Sequence, residues 1–199
     1  MEVRRLTPDL VPLFWEFMGD EEDGRGFCFC AAWWTPTWEE WKARTPEANR
    51  AHREALFARG ERDGYLLLDE GRPVGWCQVG PRDRLSKVVA QYGLAPDPHA
   101  WAVSCFEIAP SHRGRGAARF LLEGVLADLR DRGVKRVDGF PRCGERLEPG
   151  EAWTGPEALF RGAGFREVGR AARGPVYRRT EPDPELRDSR RVQAPSRIP

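Results

Sequence analysis

Lysine is nearly missing from this chain. Of 32 basic residues only three are lysine, Lys42, Lys87 and Lys135, and the rest are arginine. That bias reflects coding composition more than binding and weakens any argument resting on one surface arginine. Charge of one sign is also lacking. The 31 acidic residues nearly cancel the basic ones, so no nucleic-acid partner and no anionic membrane is implied. No apolar run approaches the ~20 residues of a membrane span, and Met1-Glu2-Val3-Arg4-Arg5 lacks a signal-peptide core. A cytoplasmic protein with no membrane partner is therefore expected. The five cysteines are an odd number, with Cys77 and Cys105 inside apolar runs, which suits reduced, buried thiols. Cys28-x-Cys30 is too closely spaced for a zinc site, which usually separates cysteines by about two to four residues and needs four ligands. His52, His99 and His112 supply no matching pair, so no metal is expected. No nucleophile signature surrounds any cysteine or histidine either.

What is present fits one α/β domain. A chain of 199 residues, 40% of them hydrophobic, can build a sizeable core. Val3-Arg4-Arg5-Leu6 reads as a first strand, and Thr7-Pro8 opens an amphipathic helix carrying Leu10, Leu13, Phe14, Phe17 and Met18. Pattern is then lost until Thr37-Trp38-Glu39-Glu40, a capping box, and Thr45-Pro46-Glu47, the start of a helix that ends before Gly60. Tyr65-Leu66-Leu67-Leu68 and Val74-Gly75-Trp76-Cys77 flank a Gly-containing turn and form a hairpin. Residues 81–100 read as loop with a half-turn near Leu85. Strands are expected at 134–140 and 166–169, with 175–179 as hairpin partner of the latter. A capping box at Thr154 predicts a helix over 157–161. The last residues, 181–199, are rich in proline and arginine and without apolar period, a flexible or surface-draped tail on a domain spanning 1–180.

The most informative stretch is an apolar run from Trp101 to Ile108, a break at Ala109-Pro110-Ser111-His112, and Arg113-Gly114-Arg115-Gly116-Ala117-Ala118 leading directly into Phe120-Leu121-Leu122. That is strand, Gly-rich loop and helix. A helix opening on glycines presents unpaired backbone N–H groups and a positive dipole end, a place for an anion. Two glycines let a phosphate approach the backbone, and Arg113 and Arg115 add charge. There is no G-x-x-x-x-G-K-[ST], so a triphosphatase loop is excluded. Arg119 stands where a dinucleotide fingerprint needs its third glycine.

The remaining pattern, Arg113-x-x-Gly116-x-Ala118, resembles motif A (Q/R-x-x-G-x-G/A) of the GNAT superfamily, the acyl-CoA-dependent N-acetyltransferases. Ala163-Gly164-Phe165 resembles the G-F step that closes the helix of motif B. The resemblance covers about residues 64–179 well and 3–18 loosely; residues 19–60 lie outside it. It implies a central mixed β-sheet flanked by helices, to which residues 19–60 add a Trp-rich helical insertion after the first helix. It further implies acetyl-CoA as acyl donor, no metal, and transfer to a primary amine of a small molecule or peptide without a covalent enzyme intermediate. The backbone of Phe106 and Ile108 would meet the acyl carbonyl and pantetheine, and the amides of Gly114, Arg115, Gly116, Ala117 and Ala118 the pyrophosphate.

Many members carry a tyrosine four residues before the glycine of the G-F step, where its hydroxyl can protonate the leaving thiolate. Here that residue is Phe160, which has no proton to give. Glu107 is the candidate base, since Phe106 and Ile108 share the opposite face of the strand; its alternative role is to orient substrate or pair with an arginine. Trp33, Trp34, Trp38 and Trp41 crowd into nine residues. They read either as core or as an acceptor wall suited to an apolar or cationic amine, with Trp33, Trp34 and Trp38 as candidate contacts. A non-catalytic acyl-CoA-binding sensor is the alternative function. Monomer and homodimer are both compatible with the sequence.

Overall fold

A computed structural model of the chain describes residues 1–20, 25–144 and 152–181. The tail expected beyond 181 lies outside them. Seven strands form one mixed sheet in the order β1-β2-β3-β4-β5-β7-β6: β1 (Glu2–Arg5), β2 (Tyr65–Asp69), β3 (Arg72–Pro81), β4 (Ala100–Ile108), β5 (Arg136–Gly139), β6 (Arg166–Ala171) and β7 (Gly174–Thr180). Only β4 and β5 run parallel. They are joined by a helix of 15 residues, which we number α5 (Ala117–Asp131) after α1 (Val11–Met18), α2 (Trp38–Lys42), α3 (Pro46–Ala58) and α4 (Ser86–Tyr92); α6 (Glu157–Gly162) follows. Parallel neighbours need such a crossover, whereas the hairpins β2–β3 and β6–β7 need only tight turns.

Helix spacing explains which face each helix covers. In α5, Leu121, Leu122, Val125, Leu126 and Leu129 recur at three and four residues and are buried on Tyr65, Leu67, Val79, Val103 and Val137 of the sheet. Each such side chain contributes about 1.5–3 kcal/mol relative to exposure. Gly124 lies on the same stripe because a Cβ there would sit 2.6 Å from Val3 of the edge strand. On the other face α1 lays Phe14, Phe17 and Met18 against Leu66, Leu68, Trp76 and Cys105, with Phe14 edge-on to Trp76 at 4.8 Å. Residues 25–58 extend that layer through α2 and α3, whose N-termini are closed as the sequence suggests: Thr37 accepts from the Glu40 N–H and Thr45 from the Ala48 N–H.

Two local expectations differ from the structure. Residues 81–100 contain a true helix, α4, ended by Gly93 in the left-handed region at φ 60° and anchored by buried Lys87, Val88 and Tyr92. Thr154 does not cap α6. Gly155 takes φ 92° and Pro156 is extended, so the helix starts beyond the reach of the threonine hydroxyl. Among the described residues no helix is long and apolar enough to cross a membrane.

Candidate functional site

Strands β4 and β5 pair only from Ala100 opposite Arg136 to Val103 opposite Gly139, yet β4 continues to Ile108. Its last residues face an edge that β5 has left. On the other side β4 stays paired with β3, with Gly75 opposite Ile108, Trp76 opposite Glu107 and Cys77 opposite Phe106, and the Ala109 N–H donates to the Val74 carbonyl at 2.9 Å. Antiparallel pairs alternate, so the peptide groups of Glu107 point at β3 while those of Phe106 and Ile108 point into the open notch.

The notch has two structural causes. Register slips between Gln78 and Val79, leaving Ser104 as an extra residue on β4, and such a bulge bends its strand. The Phe160 ring, fully buried, stands against the end of β5, so close that a Cβ on Gly139 would lie 2.2 Å from it. Phe106 packs against it at 6.1 Å.

Beside the notch the chain makes a turn at residues 110–112, takes positive φ at Gly114 (70°) and Gly116 (82°), and enters α5 with no side-chain cap. A Cβ at either glycine would meet nothing within 4 Å. These glycines are required by their dihedrals and leave open space before the first-turn N–H groups. Arg115 is exposed there, Ala117 buried and Ala118 half-buried. Arg113 instead turns back onto β4, its Nε donating to the Ile108 carbonyl at 2.7 Å and a terminal nitrogen to Glu107 at 3.0 Å.

The Glu107 side chain, on the face opposite Phe106 and Ile108, lines a cleft of about 520 Å³ with Arg113, Cys30, Cys105, Trp38 and Arg173. Of the three candidate tryptophans only Trp38 lines it; Trp41, a neighbour in the sequence cluster, lines it too. Trp33 lies behind, 1% exposed, its indole N–H donating to the Ser104 carbonyl at 3.0 Å. It thus satisfies a polar group of the bulge. Trp34 carries the Arg53 guanidinium at 4.7 Å.

The Trp38 ring is already engaged by cations of the protein: Lys87 Nζ lies 4.1 Å from its centroid and the Arg173 guanidinium carbon 4.4 Å. Lys87 also donates to the carbonyls of Ala32 (2.6 Å) and Thr37 (3.2 Å). Burial and the nearby Arg173 charge hold its amine below the usual lysine range, at about 8.

Phe29 and Cys30 adopt positive φ, 43° and 52°, a conformation that costs about 1–3 kcal/mol for a residue with a side chain. Buried Arg53 offsets this by donating to both their carbonyls, at 2.9 Å for Phe29. The turn puts the Cys30 sulfur where Cys105 and the Trp76 indole hydrogen-bond it, which lowers its thiol pKa. Burial and the neighbouring Cys30 push Cys28 up to about 12.

Sequence reasoning missed Arg173, Cys30 and Cys105 as cleft residues. Cys105 shares the Glu107 face of β4 through the period of two, a signal that could have found it, whereas no spacing marks Arg173 and Cys30, which β7 inserted between β5 and β6 and the turn at residues 29–30 bring there.

The family described as the acetyltransferase (GNAT) family has a sequence model that matches residues 27–141. No curated protein matches the chain. Among solved structures, it is similar to an N-acetyltransferase from Staphylococcus aureus Mu50, at 14% identity and TM-score 0.52, over 90% of this chain and 97% of that one. It is also similar to the aminoglycoside acetyltransferase AAC(6')-Ib in complex with coenzyme A, at 16% identity and TM-score 0.53, over 95% of this chain and 98% of that one. At these identities the likeness is one of fold.

Proposed function

The chain belongs to the GNAT acetyltransferase family, and from that premise we propose that it transfers the acetyl group of acetyl-CoA to a primary amine of a small molecule or peptide. The observation that carries this reading is the notch between β4 and β5 opening beside the uncapped, glycine-led start of α5. When bound, acetyl-CoA supplies the acyl group as a thioester. The amides of residues 114–118 and the α5 dipole hold the pyrophosphate, with open space in front of Gly114 and Gly116 to admit it. Phe106 and Ile108 offer main-chain groups as a paired strand would. The Ile108 carbonyl is taken by Arg113, so Ile108 contributes its N–H. A fixed donor aimed at the acyl oxygen is typically worth ~2.7–4 kcal/mol.

Glu107 takes the amine proton through water, and Arg113 fixes the orientation of its carboxylate. The amine nitrogen, once neutral, bonds to the acyl carbon as the C–S bond breaks. As the amide forms the nitrogen sheds a second proton, which water relays to the departing thiolate, since the buried Phe160 ring has none to give.

The test has two arms. CoA should raise the unfolding midpoint, by an amount corresponding to about 2.7 kcal/mol at a hundredfold excess over Kd, and Gly116→Glu should abolish the shift by placing bulk and negative charge at the pyrophosphate. Release of CoA thiol with amines then separates turnover from binding alone, the behaviour of a non-catalytic acyl-CoA sensor. No shift with millimolar CoA overturns the reading.

A further inference from the structure

We propose that the acceptor is an amine that also bears a carboxylate, and that Arg173 is the residue that recognises it. This rests on the acetyltransferase reading above and names the substrate class of the same cleft.

Arg173 sits in the turn between β6 and β7, half-buried, and lines the cleft together with Glu107. Its guanidinium lies 4.4 Å from the Trp38 ring centroid and 5.4 Å from that of Trp33. The Tyr92 hydroxyl lies close to its guanidinium, and among the described residues no carboxylate pairs with it. Arg82 and Arg178 are matched with Asp138, Arg113 with Glu107 and Arg136 with Asp97, while buried Arg53, which also lacks an acid among the described residues, donates instead to the carbonyls of Phe29 and Cys30. Arg142, half-buried and close enough to Arg173 and Tyr92 to add to their field, has no carboxylate partner among the described residues either. Taking a cation partly out of water without a counterion is unfavourable. A substrate anion would supply what the fold omits.

The aromatic wall favours the same conclusion. Rings such as Trp38 can hold a cationic ligand, but Lys87 and Arg173 already engage this one. A cationic amine arriving there would meet like charge. The planar guanidinium fork, held by stacking, suits a carboxylate through two parallel hydrogen bonds. A cleft of about 520 Å³ accepts a small molecule. Within it an amino acid could direct its amine to Glu107 and the acyl notch and its carboxylate to Arg173. Positive charge nearby also favours the neutral form of the amine, the form that attacks.

The test uses the full chain and matched amines: amino acids with a free carboxylate, their carboxamides, the corresponding decarboxylated amines, and aminoalkyl phosphonates. Binding is read by calorimetry without acyl donor, and turnover by thiol release with acetyl-CoA. Wild type should prefer the carboxylate over the amide by about tenfold or more in Kd and in kcat/KM, the usual scale of a charge-assisted hydrogen-bond pair. Arg173→Met, which keeps the stem over Trp38, should erase that preference while leaving the CoA-induced rise in unfolding midpoint intact; Arg173→Lys should restore part of it. Equal binding of acid and amide by wild type, a preference for phosphonates over carboxylates, or retention of the carboxylate preference in Arg173→Met would overturn the proposal. Loss of CoA binding by wild type would instead overturn the acetyltransferase reading, and the calorimetric comparison of acid with amide would still decide this one.

Discussion

Replacing Gly139 with alanine adds one methyl group at the end of β5, and the structure allows its cost to be worked out. Gly139 is not among the residues with positive φ, so alanine meets no backbone penalty. The added Cβ would lie 2.2, 2.6 and 2.9 Å from three carbons of the Phe160 ring, where carbon atoms normally keep ~3.5–4.0 Å. The ring must therefore retreat by more than about an ångström. It has nowhere to go: Phe165 is edge-on at 5.1 Å, Phe106 stands at 6.1 Å, and the backbone of Gly155 presses so closely that a Cβ there would be 2.7 Å from the same ring. Overpacking a rigid site costs ~1–3 kcal/mol, and the absence of any slack places this case at ~3 kcal/mol. For a chain of this size that lowers the unfolding midpoint by ~6–12 °C. The assay is urea unfolding of wild type, Gly139→Ala, Phe160→Leu and the double variant. Leucine removes the ring atoms that clash, so the two substitutions should couple by ~1–3 kcal/mol, the double variant being more stable than additivity allows. A Gly139→Ala cost below about 0.5 kcal/mol, or strict additivity, would refute the account of Phe160 as a ring packed on bare backbone.

Glu107→Gln should lower kcat/KM by about 10²–10⁴ and remove the acidic limb of its pH profile, with CoA-induced stabilisation unchanged; a variant that keeps both rate and limb assigns the proton to solvent. Trp33→Ala should destabilise the whole domain by ~3–5 kcal/mol, whereas Trp38→Ala should chiefly raise KM for the amine, and an unchanged KM would remove Trp38 from the acceptor wall. Burial, reinforced by Arg44, Arg53 and Arg59, holds the His52 imidazole below its ordinary 6.5. The unfolded chain therefore binds this proton first, and stability should fall as pH drops below 6.5 toward the folded value. Compared with His52→Gln, wild type should lose more stability between pH 7 and 5, measured by urea midpoints; parallel curves would exclude His52 as the cause.

Much of the backbone was legible because it is local. The glycines at 114 and 116, the apolar spacing of α5 and the threonine caps at Thr37 and Thr45 are relations between residues a few positions apart, and each has its expected backbone consequence here. Helix α4 was not legible, since seven residues are too few to display a period. The Thr154-x-x-Glu157 pattern misled because Gly155 and Pro156 hold the chain out of helix for two more residues. The lining of the cleft was hidden for a different reason. Arg173 reaches the cleft only because β7 joins the sheet beside β5, and Trp33 becomes a core residue only because a bulge in β4 offers it a carbonyl. Both are consequences of tertiary pairing, on which local spacing is silent.

The hydrogen bond from Trp33 to Ser104 joins residues 71 positions apart, and Lys87 grips the Ala32 carbonyl across 55. The segment they hold has little regular structure of its own, a single turn at Ala32–Trp34 and the five residues of α2. Its order is thus borrowed from strands and helices that must form first, and closing loops of that length carries an entropic cost that local contacts here cannot offset. In folding it would be the last part to settle. In the native state it would be the first cooperative unit to open, exchanging its amide hydrogens while α5 and the central strands stay protected. Mild denaturant should therefore yield a form in which the segment carrying Trp33 and α2 has melted and the glycine-led start of α5 still stands.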